Sequence, residues 1–153
     1  MLVELVIGAT MIAITVITQA FVLDFIIHKV KILERSGTLL RLGALRKSIT
    51  LSVVVLGVFC SLIAAMWLWA GLYIFLQAFS DVETALYFSI VSFTTVGFGD
   101  VVPSAEWRLL GSIESANGFL LFGWSTAFIF EVTAMIYRKE SETSKFGSVA
   151  NNS

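Results

Sequence analysis

Three long apolar runs and one short one organise this chain. From Leu2 to Ile27 the residues are mostly apolar, interrupted by Glu4 and Asp24. At about 1.5 Å per residue such a run crosses a hydrocarbon layer of roughly 30 Å, so the pattern predicts a transmembrane helix over residues 1–27. A cleaved signal peptide fits less well: no positive residue precedes the run, which exceeds the usual apolar length of about 7–15 residues. Residues 28–48 then turn basic, with Leu39, Leu40, Leu42 and Leu45 interleaved among Arg41, Arg46 and Lys47. That alternation predicts a basic linker containing a short helix lying on the membrane surface. A second spanning helix is expected over 49–79, with Gly57, Ser61, Ala64 and Ala65 allowing close packing and Trp67, Trp69 and Tyr73 suited to the headgroup belt.

The short run comes next. Ser80-Asp81-Val82-Glu83 matches a capping box in which Ser80 is the N-cap and Glu83 reaches back. The helix it starts, over 81–94, is roughly 20 Å long, too short to cross the bilayer, so it must enter and return. Residues 101–106 lead back to the surface, and 107–137 form a third spanning helix. The tail, 139–153, is rich in serine, threonine and asparagine and has too little apolar surface for a domain. The expected fold is an all-α membrane protein with three transmembrane helices and one re-entrant helix and loop.

Composition sharpens this picture. Hydrophobic residues make up 58% of the 153, with one proline, and the mean hydropathy is +0.91. A soluble domain has no use for so much apolar surface. The net charge of −1 conceals an asymmetry: Lys29, Lys31, Arg35, Arg41, Arg46 and Lys47 fall in one connector, Arg138, Lys139 and Lys145 in the tail, and Arg108 alone elsewhere. The positive-inside rule then puts the amino terminus outside, the basic linker and carboxyl terminus in the cytoplasm, and the re-entrant segment outside. Glu4, Asp81, Glu83, Asp100 and Glu106 fall on the outer side, where acidic groups concentrate cations. Arg35, Arg41 and Arg46 lie outside the spanning segments and lack a regular spacing, which excludes voltage sensing. The sole cysteine, Cys60, sits within an apolar helix and is expected to be a buried small residue.

Thr94-Thr95-Val96-Gly97-Phe98-Gly99-Asp100 occupies the turn at membrane depth. Irregular backbone there leaves polar groups that cost several kcal/mol each in hydrocarbon unless they line water or bind something. A dehydrated monovalent cation needs oxygens in place of its water shell, and stacked rings of carbonyls supply them without trapping charge. Turning successive carbonyls inward requires left-handed backbone, which Gly97 and Gly99 reach at little cost. Thr95 would add its hydroxyl, and the carboxyl end of helix 81–94 would aim its negative dipole end at the ion.

Thr95 to Asp100 closely resembles the potassium-channel signature, whose commonest form has tyrosine at the position of Phe98. The phenylalanine form is similar to filters of two-pore-domain potassium channels. With Ala85-Leu86-Tyr87-Phe88-Ser89 before it and Pro103 after it, the resemblance runs over about Ser48 to Tyr137. It implies a single-pore-loop channel domain over 49–138, with outer helix 49–79, pore helix 81–94, filter 95–100 and inner helix 107–137. It also implies K+ bound at Thr95, Val96, Gly97 and Phe98, with Gly99 completing the loop and Asp100 anchoring it. Tyr87 stands where the family commonly has an aromatic donor to that aspartate, and Thr94 supports the filter. Phe88 and Phe98 both lack the polar group found at their positions in other members. Val91 replaces a glutamate that some members bury there, and the first helix has no counterpart in two-helix channels.

In the third helix Gly118 matches the family's hinge glycine, which allows a bend there; the alternative is close helix packing. Regular helix geometry puts Ser115, Phe119, Phe122 and Thr126 on one face, lining an inner cavity, with Glu114 and Asn117 directed away. For Glu114 a hydrogen bond to a neighbouring helix is favoured over a cavity charge. His28 is read as a polar boundary residue, and Glu131 stays open between a gate and an ion pair. One filter strand supplies a fraction of a ring, so a homotetramer of this chain and three identical subunits is expected, in contact with membrane lipid. No cofactor, nucleic acid or soluble substrate is implied, and K+ is the permeant ion. The location is the plasma membrane or a bacterial inner membrane. The alternatives are a non-selective cation channel and a non-conducting or transporter-associated subunit; Phe98-Gly99 and the intact loop argue against them. No metal-ligand cluster, paired nucleophile or phosphate loop points to an enzyme.

Overall fold

A computed structural model of the chain describes residues 1–35 and 44–150, and the side chains of 33–35, 44, 46 and 139–150 fall outside that description. Leu39, Leu40, Arg41 and Leu42 of the expected surface helix therefore lie outside the described residues. Four helices follow one another: α1 (Leu2–Arg35), α2 (Ala44–Phe75), α3 (Val82–Phe93) and α4 (Arg108–Ala150). Leu2–Ile32, Lys47–Phe75 and Arg108–Arg138 are long and apolar enough to cross a membrane. The 12 residues of α3 reach about 18 Å and are not. The chain is an all-α, multi-pass membrane protein carrying one half-length helix.

The helix ends differ from the expected ones for local reasons. His28 to Arg35 holds no proline or glycine, so α1 continues through the start of the basic linker, and α2 begins directly after Gly43. After Tyr137 no breaker occurs before Gly147, and α4 continues to Ala150. By contrast α2 stops at Phe75, earlier than expected. There Gln77 takes φ 54, its amide donates to the Ile74 carbonyl at 3.0 Å and the Ala78 amide to the Tyr73 carbonyl at 2.9 Å. This is a Schellman cap in which glutamine occupies the left-handed position that glycine usually holds. The N-cap of α3 is also corrected: Asp81, not Ser80, accepts from the Thr84 amide at 2.7 Å. Its exposed carboxylate is held below the usual range by that bond.

Helix α3 sits against α2 and α4, and α1 lies along α2 and α4 on the other side. The buried stripe of α1 runs through Met11, Thr15, Gln19, Leu23, Ile26 and Val30, close to the helical repeat. Gly57 of α2 admits Ile26, whose Cδ1 would lie 2.9 Å from a Cβ added there. Two buried polar links join α1 to α4: Asn117 Nδ2 donates to Thr15 Oγ1 at 2.8 Å and Gln19 Nε2 to Ser125 Oγ at 3.0 Å. Trp69 and Tyr73, expected in the headgroup belt, are instead fully buried, while Trp67 is half exposed. Cys60 likewise is exposed rather than buried. It shares the outward face of α2 with Leu56, Phe59, Ile63 and Trp67, as the 3.6-residue repeat dictates.

The strained cap of α2 is testable. Because a non-glycine residue in the left-handed region costs about 1–2 kcal/mol, Gln77→Gly should stabilise the protein by about 1 kcal/mol, read as a raised Tm in detergent.

Candidate functional site

The loop after α3 begins as a second helix cap of the same kind. Thr94 ends the helix in right-handed conformation and Thr95 follows at φ 62. The Thr95 amide donates to the Ser92 carbonyl at 2.9 Å and the Val96 amide to the Val91 carbonyl at 3.0 Å. The loop then departs from an ordinary cap, because the Gly97 amide also turns back to Val91, at 3.2 Å. With no cis peptide bonds, each carbonyl lies opposite the next residue's amide. The carbonyls of Thr94, Thr95 and Val96 therefore face away from α3.

Left-handed φ recurs at alternate residues: 62 at Thr95, 58 at Gly97 and 76 at Gly99, with Val96 and Phe98 outside that region. A Cβ added at either glycine would meet nothing within 4 Å, so backbone conformation rather than crowding requires them. Thr95 has no such freedom. A β-branched residue at positive φ is an outlier worth about 1–3 kcal/mol of strain. Its hydroxyl makes no hydrogen bond among the described residues, whereas the neighbouring Thr94 hydroxyl donates to the Ile90 carbonyl at 2.6 Å. Residues 95–100 are all exposed on the single chain.

Behind the loop, Tyr87 Oη donates to Asp100 Oδ2 at 2.6 Å, tying α3 to the far end of the turn. That bond holds the Asp100 carboxyl below its usual range and, by the same proton, raises the Tyr87 phenol. Phe88, beside Tyr87, packs edge-on against Tyr73 with ring centroids 5.1 Å apart; its site is apolar and asks for no donor.

Helix α4 presents one stripe to α3. Gly111 receives the Phe88 ring, with Cζ 2.9 Å from a Cβ added there. Glu114, 0% exposed, accepts from Tyr73 Oη at 2.7 Å and lies 2.6 Å from Ser89 Oγ. Ser115 Oγ lies 2.8 Å from the Ser92 carbonyl and 2.9 Å from that of Gly111. A methyl group at Gly118 would overlap the Phe93 carbonyl, and Phe122 meets the Phe93 ring at 5.8 Å. Close approach to α3 thus explains Gly118 with α4 helical throughout.

The expected cavity face divides: Ser115 and Phe122 are partly buried against α3, while Phe119 and Thr126 are exposed. Glu114 and Asn117 point to other helices, Glu114 through the hydrogen bonding that the sequence favoured. His28 and Glu131 are both exposed. The sequence reading missed Ser89 and Tyr73 as partners of Glu114, and Thr15 and Gln19 as partners of α4. Polar residues one turn apart in an otherwise apolar helix were the available signal.

The three spanning helices with a loop returned into the membrane define a pore-loop membrane protein. A family model described as an ion channel matches residues 51–135, more than half of the 153, taking in most of α2, all of α3 and the loop, and most of the spanning part of α4. The chain belongs to this ion channel family, and its likeness to pore-loop potassium channels, read from Thr95 to Asp100, stands. It is also similar to TWiK family of potassium channels protein 18 of Caenorhabditis elegans, with 49% identity over 45 residues. That match covers 28% of this chain and 10% of the relative. No solved structure matches the chain. The matched family region leaves out α1.

The Tyr87–Asp100 bond predicts a pH dependence. Asp100's lowered value means its stabilisation is present above the usual carboxylate range and is lost as pH falls through the lowered value. Tyr87's raised value adds stabilisation that disappears only when alkaline pH ionises the phenol. In Tyr87→Phe, carboxyl NMR should show Asp100 titrating at a higher pH than in the native protein, and the loop should be looser at neutral pH, with a smaller further loss of stability on acidification.

Proposed function

We propose that this chain is the subunit of a potassium-selective channel, passing K+ passively through a filter assembled from identical copies, most simply a homotetramer. The observation that carries this reading is the alternation of left-handed backbone at Thr95, Gly97 and Gly99, which with the amides turned back onto α3 leaves carbonyls aimed outward. In the assembly the carbonyls of Thr95, Val96, Gly97 and Phe98 are the ion's ligands, and the Thr95 hydroxyl supplies the innermost one. Gly99 completes the turn and Asp100 anchors it through Tyr87, while Thr94 closes α3 through its bond to Ile90. The carboxyl end of α3 adds its negative dipole end on the side of the approaching cation.

Potassium as the ion is further supported by the name of the worm relative, within the limits of its short match. Phe119 and Thr126, exposed on α4, bound the cavity below the filter, while Ser115, Gly118 and Phe122 hold that part of α4 against α3. The amino terminus lies outside and the carboxyl terminus in the cytoplasm, which puts the basic residues other than Arg108 inside and exposed Asp81, Glu83, Asp100 and Glu106 around the outer mouth. The membrane is a plasma membrane or a bacterial inner membrane, the permeant ion is K+, and no cofactor takes part.

Reversal potentials under opposed potassium and sodium gradients, with purified protein in planar bilayers, test the reading. The native protein should prefer potassium, and Gly97→Asp should lose that preference. Thr95→Gly separates strain from function: it should raise stability by about 1 kcal/mol, while the loss of a hydroxyl ligand lowers the potassium preference. Equal passage of sodium and potassium by the native protein would overturn the reading.

A further inference from the structure

Glu114 is the one carboxyl group wholly enclosed among the described spanning helices, at 0% exposure. An ionisable side chain at that depth is costly unless its neighbours satisfy it. Its neighbours are hydroxyls from two other helices: Tyr73 of α2 at 2.7 Å and Ser89 of α3 at 2.6 Å. Three helices therefore meet at one carboxyl group.

The hydrogens around Ser89 can be counted. Its single hydroxyl hydrogen faces two oxygens, the Met66 carbonyl at 2.8 Å and Glu114 Oε1 at 2.6 Å. A carbonyl only accepts, so both contacts close together when Ser89 donates to Met66 and receives a hydrogen from residue 114. A group with one donor and one acceptor fits that position, accepting from Tyr73 on its other atom. A carboxamide has this character as well as a protonated carboxyl.

Ser89 lies on the turn of α3 immediately before Val91 and Ser92, whose carbonyls receive the Thr95, Val96 and Gly97 amides. Whatever sets the rotation and depth of α3 at Ser89 sets the direction of those carbonyls, and through them the handedness pattern of the loop. Ser115, next to Glu114, touches the Ser92 carbonyl itself at 2.8 Å. The link from Glu114 to the loop thus spans two short steps, each made of named hydrogen bonds.

We propose that Glu114 is a positioning residue for ion selection: by joining Tyr73 and Ser89 it locks the last turns of α3 between α2 and α4 and so fixes the geometry of the loop at Thr95–Gly99. This rests on the filter reading above. It assigns α4 a part in selectivity through the back of the pore helix, without contact with the ion.

The experiment compares potassium-over-sodium permeability ratios from reversal potentials for the native protein, Glu114→Gln, Glu114→Ala and Ser89→Ala, with Tm measured for each. Glu114→Gln, which keeps a donor and an acceptor, should stay within about twofold of the native ratio, and Ser89→Ala should lower it about tenfold, as expected for losing one buried hydrogen bond. Glu114→Ala should do the same or fail to fold, and in that case Ser89→Ala and Glu114→Gln decide the matter. A selective native protein with an unchanged ratio in Ser89→Ala would overturn this inference alone, as would a ratio in Glu114→Gln as low as in Ser89→Ala at native Tm. A native protein without potassium preference would remove the filter reading, and this inference with it.

Discussion

Backbone polar groups that leave regular structure at membrane depth have to be partnered by the protein itself, and in this chain the carbonyl of Val91 meets most of that requirement. It receives the amides of both Val96 and Gly97, at a point where an α-helix would otherwise leave its last carbonyls unpaired. The neighbouring Ser92 carbonyl takes the Thr95 amide and a Ser115 hydroxyl contact. The turn from helix to loop is thus completed without water on the α3 side. Once those amides are committed, the geometry of a trans peptide sends the carbonyls the other way, and the chemistry of the loop follows from where they point.

That arrangement is only as fixed as α3, and α3 is short. Its 12 residues have little stability of their own, so their position comes from packing. Gly111 and Gly118 let α4 approach closely enough to touch the Phe88 ring and the Phe93 backbone, and between them Glu114 and Ser115 make hydrogen bonds to the same helix. Spacings of three, four and seven residues put all four on one face of α4. Along the same helix, α1 holds α4 through Asn117 and Ser125, one beside Gly118 and the other two turns beyond it. Interhelical hydrogen bonds of this kind contribute modestly, about 0.6 kcal/mol on average. Their direction still matters, because two of them fix rotation as well as distance.

Much of this was legible in the sequence. Two alternate glycines beside threonine and aspartate, between a run too short to cross a bilayer and one long enough, identified the loop. The resemblance to the potassium-channel signature, which puts Tyr87 where the family has an aromatic donor, anticipated its bond to Asp100, and a buried polar link was the favoured role of Glu114. What stayed hidden depended on tertiary context. Gln77 carries no signal of a left-handed cap, because the conformation is imposed by where α2 must stop to admit α3. Ser80 and Asp81 are both good N-caps, and only the entry angle of the chain selects the second. Trp69 and Tyr73 have the chemistry of an interfacial belt, yet α3 and α4 pack over their face of α2 and leave Trp67 outside. Cys60 shows the converse: a small apolar helix residue is expected inside, but in a membrane protein the outward face is apolar too, so hydropathy does not tell the two faces apart.

Thr95 shows most clearly what the loop is arranged to do. Glycine would hold its left-handed backbone with less strain, as it does at Gly97 and Gly99, and a folding requirement alone would favour it. A β-branched residue there gives up about 1–3 kcal/mol and gains nothing visible within the single chain, where its hydroxyl lacks a partner among the described residues. The compensation has to come from outside the chain, on the same side as the outward carbonyls. Hydrocarbon offers nothing to an oxygen, so that side must meet water, a cation or other copies of the same loop. Val96 and Phe98, 52% and 71% exposed, pose the complementary problem: apolar side chains that flank polar backbone and want an apolar surface over them. In the proposed channel, copies of the chain around a common axis meet both needs at once, covering the apolar flanks with protein and turning the oxygens together toward the ion.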